Sequence, residues 1–397
     1  MGFGSRAETS STCPESIGGG VRRAGRAVRA RRWAGLTAAC AALLASPARA
    51  ETQLEPIVRM GVEGGYDSNV LFDGRGDAES RLSPELGLRA FDHLFTLTGV
   101  YGLDYLEYRR LQPNGVWNHR GTLDLSAWLT PRLHLTGSAK SIYATDPVGL
   151  AQVGIFRAGE ARALFLQAGS RAEYELTPLM VIAGEMREQL VRFQDQTGGA
   201  MHAPALELLH RLNERLELGG AYAFSVFQDF LPGQTRLAYA HGFRARARYM
   251  ISRFLEADAF AGPALWSGTT RAVLPEAGLE LRLVERDWDL RLEVGHQLGL
   301  GSTADPGLVN SIEFGTVRRF GRLFDLRGDG GIWEAGEIPS GRNATTGFAV
   351  AGEAGWHVTR QLRLAVAAAY LARLDNSSSE LRRTTVGIRM GWELPAR

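Results

Sequence analysis

The chain has 397 residues, a formal net charge of +2 and 45% apolar residues. Its first 50 residues hold eight arginines (6, 22, 23, 26, 29, 31, 32, 49) against Glu8 and Glu15, which leaves the remainder mildly acidic and excludes a basic nucleic-acid-binding body. Both cysteines, Cys13 and Cys40, sit in that basic front segment, so disulfides and thiolate metal sites are excluded beyond it.

Residues 1–50 read as a basic extension followed by a cleaved export signal. Arg29, Arg31 and Arg32 precede an apolar stretch, Trp33–Ala45, that is too short to cross a bilayer as a helix. Ala48-Arg49-Ala50 offers small residues for cleavage, which places the mature start at Glu51. A translation start near Val21 and a lipoprotein-type cleavage before Cys40 are the alternatives. Residues 51–397 read as one domain.

The first character in that domain is Gly65-Tyr66-Asp67-Ser68-Asn69-Val70, followed by Asp73 and Gly74. Asp67, Ser68, Asn69 and Asp73 carry hard oxygens, but their spacing matches no standard calcium loop. Turn chemistry at a strand end explains them without a ligand. No metal or other cofactor is expected.

From here on, period two dominates. No run of 18 apolar residues occurs and no 3.6 periodicity is sustained. Leu123–Leu129, Leu164–Leu176, Ala277–Leu283, Trp288–Leu300 and Leu362–Tyr370 alternate, which on a strand sends one set of side chains to each face. Short turn candidates separate the strands: Asp92-His93, Pro131-Arg132, Pro178-Leu179, Glu214-Arg215, Ser252-Arg253, Arg286-Asp287, Gly321-Arg322 and Arg360-Gln361. They recur roughly every 37 residues, one hairpin per step. The intervening connections are longer and more polar. This predicts an all-β chain: a closed antiparallel transmembrane β-barrel of about 18 strands (range 16–20), with short periplasmic turns and long extracellular loops. A soluble β-sandwich is the competing architecture.

A sheet crossing a bilayer must close on itself, because lipid satisfies no free N–H or C=O. Aromatic residues gather at predicted strand ends: Phe91, Tyr101, Tyr105, Tyr108, Tyr143, Phe193, Phe227, Phe230, Tyr239, Trp266, Trp288 and Trp356. The inward positions are of mixed sign. Arg244, Arg246 and Arg248 face Glu256 and Asp258 on the next strand; Arg171, Glu173 and Glu175 alternate, as do Asp289, Arg291 and Glu293, and Asp325, Arg327 and Asp329. A solvated wall whose charges pair across strands is one reading, and a track for a transported solute is the other. The widest connection, 146–161, carries Val148, Leu150, Val153, Ile155 and Phe156, apolar enough to pack inward as a constriction.

Nothing points to catalysis. The eight histidines lie in no serine-containing signature, and no HExxH occurs. At the C-terminus, Gly387, Met390 and Trp392 alternate in a strand that resembles the assembly signal read by the barrel-assembly machinery. It departs from that pattern in being followed by Glu393–Arg397.

The strand ending in Tyr66, Asp67, Ser68 and Asn69, directly after an export signal, resembles the β-barrel porin 2 group of outer-membrane proteins. The resemblance implies an integral outer-membrane channel for exopolysaccharide, working with a periplasmic polysaccharide-export protein. A diffusion porin for small hydrophilic solutes, and a structural or adhesive barrel with a closed lumen, are the alternatives.

Overall fold

The computed structural model describes residues 52–70, 74–111, 115–145, 162–301, 306–336, 338, 345–375 and 381–394. The extension and signal, and the five constriction candidates Val148, Leu150, Val153, Ile155 and Phe156, lie outside the described residues.

The strands in chain order are β1 (Gln53–Asp67), β2 (Asp77–Phe91), β3 (Phe95–Tyr108), β4 (Val116–Thr130), β5 (Leu133–Ala144) and β6 (Ala163–Thr177). There follow β7 (Met180–Phe193), β8 (Gly198–Arg211), β9 (Leu216–Leu231), β10 (Gln234–Met250), β11 (Leu255–Ser267) and β12 (Arg271–Glu285). The set ends with β13 (Trp288–Leu300), β14 (Pro306–Phe320), β15 (Phe324–Gly336), β16 (Thr345–His357), β17 (Leu362–Asp375) and β18 (Leu381–Glu393). Each strand pairs antiparallel with the next, and β1 pairs with β18. The sheet is therefore a closed 18-stranded transmembrane barrel with no free edge.

All eight short turn candidates fall between strands. Side chains cap several of them. Asp92 Oδ1 accepts from the backbone N–H of Leu94 and Phe95 at 2.6 and 2.9 Å. Asn213 Oδ1 does the same for Arg215 and Leu216, Ser252 Oγ for Phe254 and Leu255, and Thr359 Oγ1 for Gln361 and Leu362. Short polar side chains that can bond backbone groups two or three residues on are what such turns select.

The outward face is apolar, as a lipid-facing wall requires. Val273 and Ile388 are 68% and 66% exposed, and Leu86, Phe243 and Val366 point the same way. The aromatic girdle includes Tyr66, Tyr101, Trp117, Tyr143, Tyr222, Tyr239, Trp356 and Trp392, all exposed. Two of these rings hold outward histidines: Tyr101 Oη stands 2.6 Å from His119 Nδ1, and Tyr222 Oη stands 2.8 Å from His241 Nδ1. Four of the aromatics expected in the girdle, Tyr108, Phe193, Phe227 and Trp266, are buried inside the barrel instead. Their strand-end positions are right, but the parity of their rows sends them inward.

Gly65-Tyr66-Asp67-Ser68-Asn69 forms the seam. Tyr66 ends the outward row of β1, and Asp67 turns inward to pair with Arg383 of β18 where both side chains are fully buried. Arg383 also donates to the Val70 carbonyl at 2.8 Å and to Tyr108 Oη at 3.0 Å. Ser68 and Thr384 exchange two hydrogen bonds, and Asn69 Nδ2 donates to the Arg382 carbonyl. Asn69 Oδ1 also accepts from Gly74 N–H at 2.7 Å. The segment that resembles a ligand loop is the clasp between the first and last strands.

Candidate functional site

The lumen has two unlike halves. On β6–β12 the inward arginines and carboxylates lock to one another. Glu207, 4% exposed, accepts from Arg171 Nη1 at 2.7 Å and Arg246 Nη1 at 2.8 Å. Arg246 also forks onto Asp258 through two contacts of 2.9 and 2.8 Å. Arg248 reaches Glu256, Asp258 and Glu217, Arg244 bonds Glu276 at 3.0 Å, and Arg171 bonds Glu173 at 2.7 Å. Glu175 pairs with Arg211 at 3.2 Å. Apart from Arg171–Glu173, both on β6, these pairs span strands because inward side chains stand opposite one another on the pleat. The planar guanidinium fork suits such bidentate contacts.

Toward the loop end, this half closes on apolar packing. Phe227, Ala238, Ala240, Ala264, Trp266, Leu274 and Leu298 form one buried cluster; Ile142, Ala144, Ala163, Phe165, Val191 and Phe193 form another. Leu300 of β13 packs against both. Backbones of β8 and β13, and of β9 and β14, which are not sheet neighbours, come within 8 Å Cα–Cα of each other. The barrel is thus pinched there, wall against wall.

The other half is open. A cavity of about 1110 Å³ lies between β1–β5 and β13–β18. Cationic and acidic side chains line it in equal numbers. They form a chain of ion pairs. Asp325 sits at the turn end, holding Arg363 at 2.6 Å, Arg327 at 3.1 Å and His357 Nε2 at 2.6 Å. Arg363 pairs with Glu353, which binds Arg389 at 2.6 Å; Arg389 in turn meets Glu63 at 3.0 Å. Further round, Arg120 bridges Asp104 at 2.8 Å and Glu85 at 3.2 Å. A Cβ at Gly355 would overlap the Arg363 guanidinium, so a larger residue there would shift that side chain.

The structure therefore splits the charged residues anticipated from the sequence. Arg171, Glu173, Glu175, Arg244, Arg246, Arg248, Glu256 and Asp258 belong to the locked half. Arg291 and Glu293 line the cavity, where Arg291 pairs with Glu280 at 2.9 Å and Glu293 at 2.8 Å. Asp289, at the turn end of β13, is exposed and is not a cavity-lining residue. Asp325 and Arg327, expected inward, pair in the open half, and Asp329 lines the cavity. Sequence reasoning missed its other principal members, Glu353, Arg363, Arg389 and Arg120. It also missed Lys140 of β5, exposed into the cavity, although its rarity was visible: it is the single lysine among 45 cationic residues.

On the outward face of β18, Met390 and Trp392 are exposed in one row, with Gly387 inward among the cavity-lining residues. Among the described residues no group of three or more His, Asp or Glu could hold a metal ion. Ser126 Oγ lies 3.0 Å from His134 Nε2, with Trp128 stacked on the ring at 4.5 Å, an anchoring contact at the turn end. The chain is a closed barrel of the outer-membrane type, with lipid around its apolar belt.

No protein-family model matches the chain, and no curated protein matches it. Solved barrels do. OccAB4 of Acinetobacter baumannii is 10% identical with a TM-score of 0.42, over 87% of this chain and 99% of that one. OccK7 (OpdD) of Pseudomonas aeruginosa is 11% identical with a TM-score of 0.42, over 87% and 100%. The siderophore receptor PirA of Pseudomonas aeruginosa is 10% identical with a TM-score of 0.41, over 87% and 81%. The expected kinship with the porin 2 group is corrected by these findings. No family model supports it, and the barrels found are of other kinds. Tyr66, Asp67, Ser68 and Asn69, which carried the resemblance, are accounted for as the seam between β1 and β18. Exopolysaccharide export falls with it, as do the polysaccharide cargo and the periplasmic export partner.

Proposed function

We propose that this barrel is a diffusion channel for small hydrophilic solutes, and that solutes move through the open half of the lumen. The observation that carries this reading is the charged cavity between β1–β5 and β13–β18. Its lining runs from Arg360 and Gln361 at the turn end up to Glu79, Asn118 and Ile142 toward the loops. Its volume of about 1110 Å³ suits a small hydrated solute, since pockets of roughly 300–1,000 Å³ already hold drug-sized molecules. A wall of alternating fixed charges lets such a solute exchange water contacts for side-chain contacts without a dry step.

The test is conductance of the refolded barrel in planar bilayers, together with swelling of liposomes in sugars of increasing size. Discrete openings and a size cut-off at small sugars are the expected result. A folded, inserted barrel that conducts no ions and admits no sugar would instead assign the closed-lumen alternative.

A further inference from the structure

Arginine serves almost every cationic position in this chain, 44 of the 45 being arginine and one, Lys140, lysine. Many arginines of the lumen wall are engaged by carboxylates, as Arg120 is by Asp104 and Glu85, Arg363 by Asp325 and Arg389 by Glu63. Lys140 makes no ion pair or hydrogen bond with any described residue, and its side chain is exposed to the cavity. Its ladder neighbours on either side are uncharged, Thr122 on β4 and Gln167 on β6. Along its own strand the inward neighbours are Ser138 and Ile142. Two positions to either side of Thr122 on the inward row of β4 stand Arg120, also positive, and Asp124, which makes no ion pair with Lys140.

The chemistry of the two cations explains the division. A guanidinium is a rigid fork that fixes two carboxylate oxygens and so builds wall. An ammonium is a compact charge on a flexible stem, with three donors and no preferred plane. Placed without an ion-pair partner, it offers a mobile solute a contact that no described carboxylate occupies.

We propose that Lys140 binds the anionic group of a passing solute, a carboxylate or a phosphate, and raises the channel's permeability to anions. The proposal rests on the diffusion-channel reading. Two unit charges about 4 Å apart in water interact by enough to change occupancy roughly five-fold, which sets the scale of the effect.

The experiment measures reversal potentials across bilayers holding the folded full-length barrel, in gradients of potassium chloride, potassium acetate and potassium phosphate. Lys140→Gln should lower the anion-to-cation permeability ratio by about two- to five-fold, and Lys140→Arg should retain it. The uniqueness of the lysine supplies a second route that needs no variant to fold. Acetylating the inserted wild-type barrel with an N-hydroxysuccinimide ester should reproduce the fall. The same reagent on Lys140→Gln, where only the α-amine remains, should change nothing. An effect with acetate alone, or with phosphate alone, identifies which anion the ammonium serves. If the wild-type barrel conducts but neither substitution nor acetylation moves any ratio, the role given to Lys140 is overturned and the channel stands. If the inserted barrel does not conduct, both readings fall together.

Discussion

The two halves of the lumen are built from the same arginines, aspartates and glutamates, yet they behave as different materials. In the β6–β12 half, Arg171 and Arg244 keep only 17% and 13% of their side-chain surface, and Glu207 and Glu276, which they meet, are nearly dry. In the open half, Arg291 and Arg327 keep 57% and 52%. What differs is the opposite wall. Where β13 and β14 fold in, apolar side chains displace water, and each charge is satisfied by protein or not at all. Where the walls stay apart, as at Arg291 and Arg327, water shares the work; at the turn end, where Arg363 keeps 16% and Asp325 4%, the open half is as dry as the packed one. Charge in a barrel thus serves as framework or as lining according to what faces it.

Substitutions on the two sides should separate these roles. The largest effect is expected at Glu207. Glu207→Ala removes the buried carboxylate that Arg171 and Arg246 share, leaving them to Glu173 and Asp258. It should cost about 3 kcal/mol, the lower end for a broken buried pair, read as a lower midpoint in urea unfolding of the detergent-folded barrel. Phe227→Ala follows. Phe227 is fully buried and meets Trp266 at a centroid distance of 5.3 Å. Its loss should cost about 3 kcal/mol and also raise single-channel conductance, because it loosens the pinch; conductance equal to wild type would mean the packed half does not limit flow. Tyr222→Phe removes one outward hydrogen bond to His241 and should cost about 1 kcal/mol, with conductance unmoved. Smallest in stability is Arg291→Ala in the open half, within about 1 kcal/mol of wild type. Its signature should be a change in ion selectivity. A destabilisation as large as that of Glu207→Ala would erase the distinction between the halves.

Most of the fold was readable because its signals are local. Alternation fixes which residues share a face, and the short turns recur at positions where Asp92, Asn213, Ser252 and Thr359 cap the chain. Strand count and closure follow from these. The lumen was less readable. Arg246 meets Glu207 across 39 positions of sequence, and Arg363 meets Asp325 across 38. Such pairs depend on register between strands, which a periodicity does not give. The inward turn of Tyr108, Phe193, Phe227 and Trp266 was misjudged for a related reason: aromatic residues at strand ends suit either face, and only parity decides. The pinch was beyond sequence reasoning, since it depends on Leu300 meeting two clusters from other parts of the wall.

The clasp at Asp67 and Arg383 also bears on time. It joins the first described strand to the last, and β1 cannot pair with β18 until that last strand exists. Contacts of such separation are slow to form. Until they do, two strand edges stand open, each able to pair with the wrong partner. The seam therefore acts as the final step of a folding clock. A chain that reaches it holds a buried ion pair that no partly closed barrel could keep dry, so completion itself is what makes the ring hard to reopen.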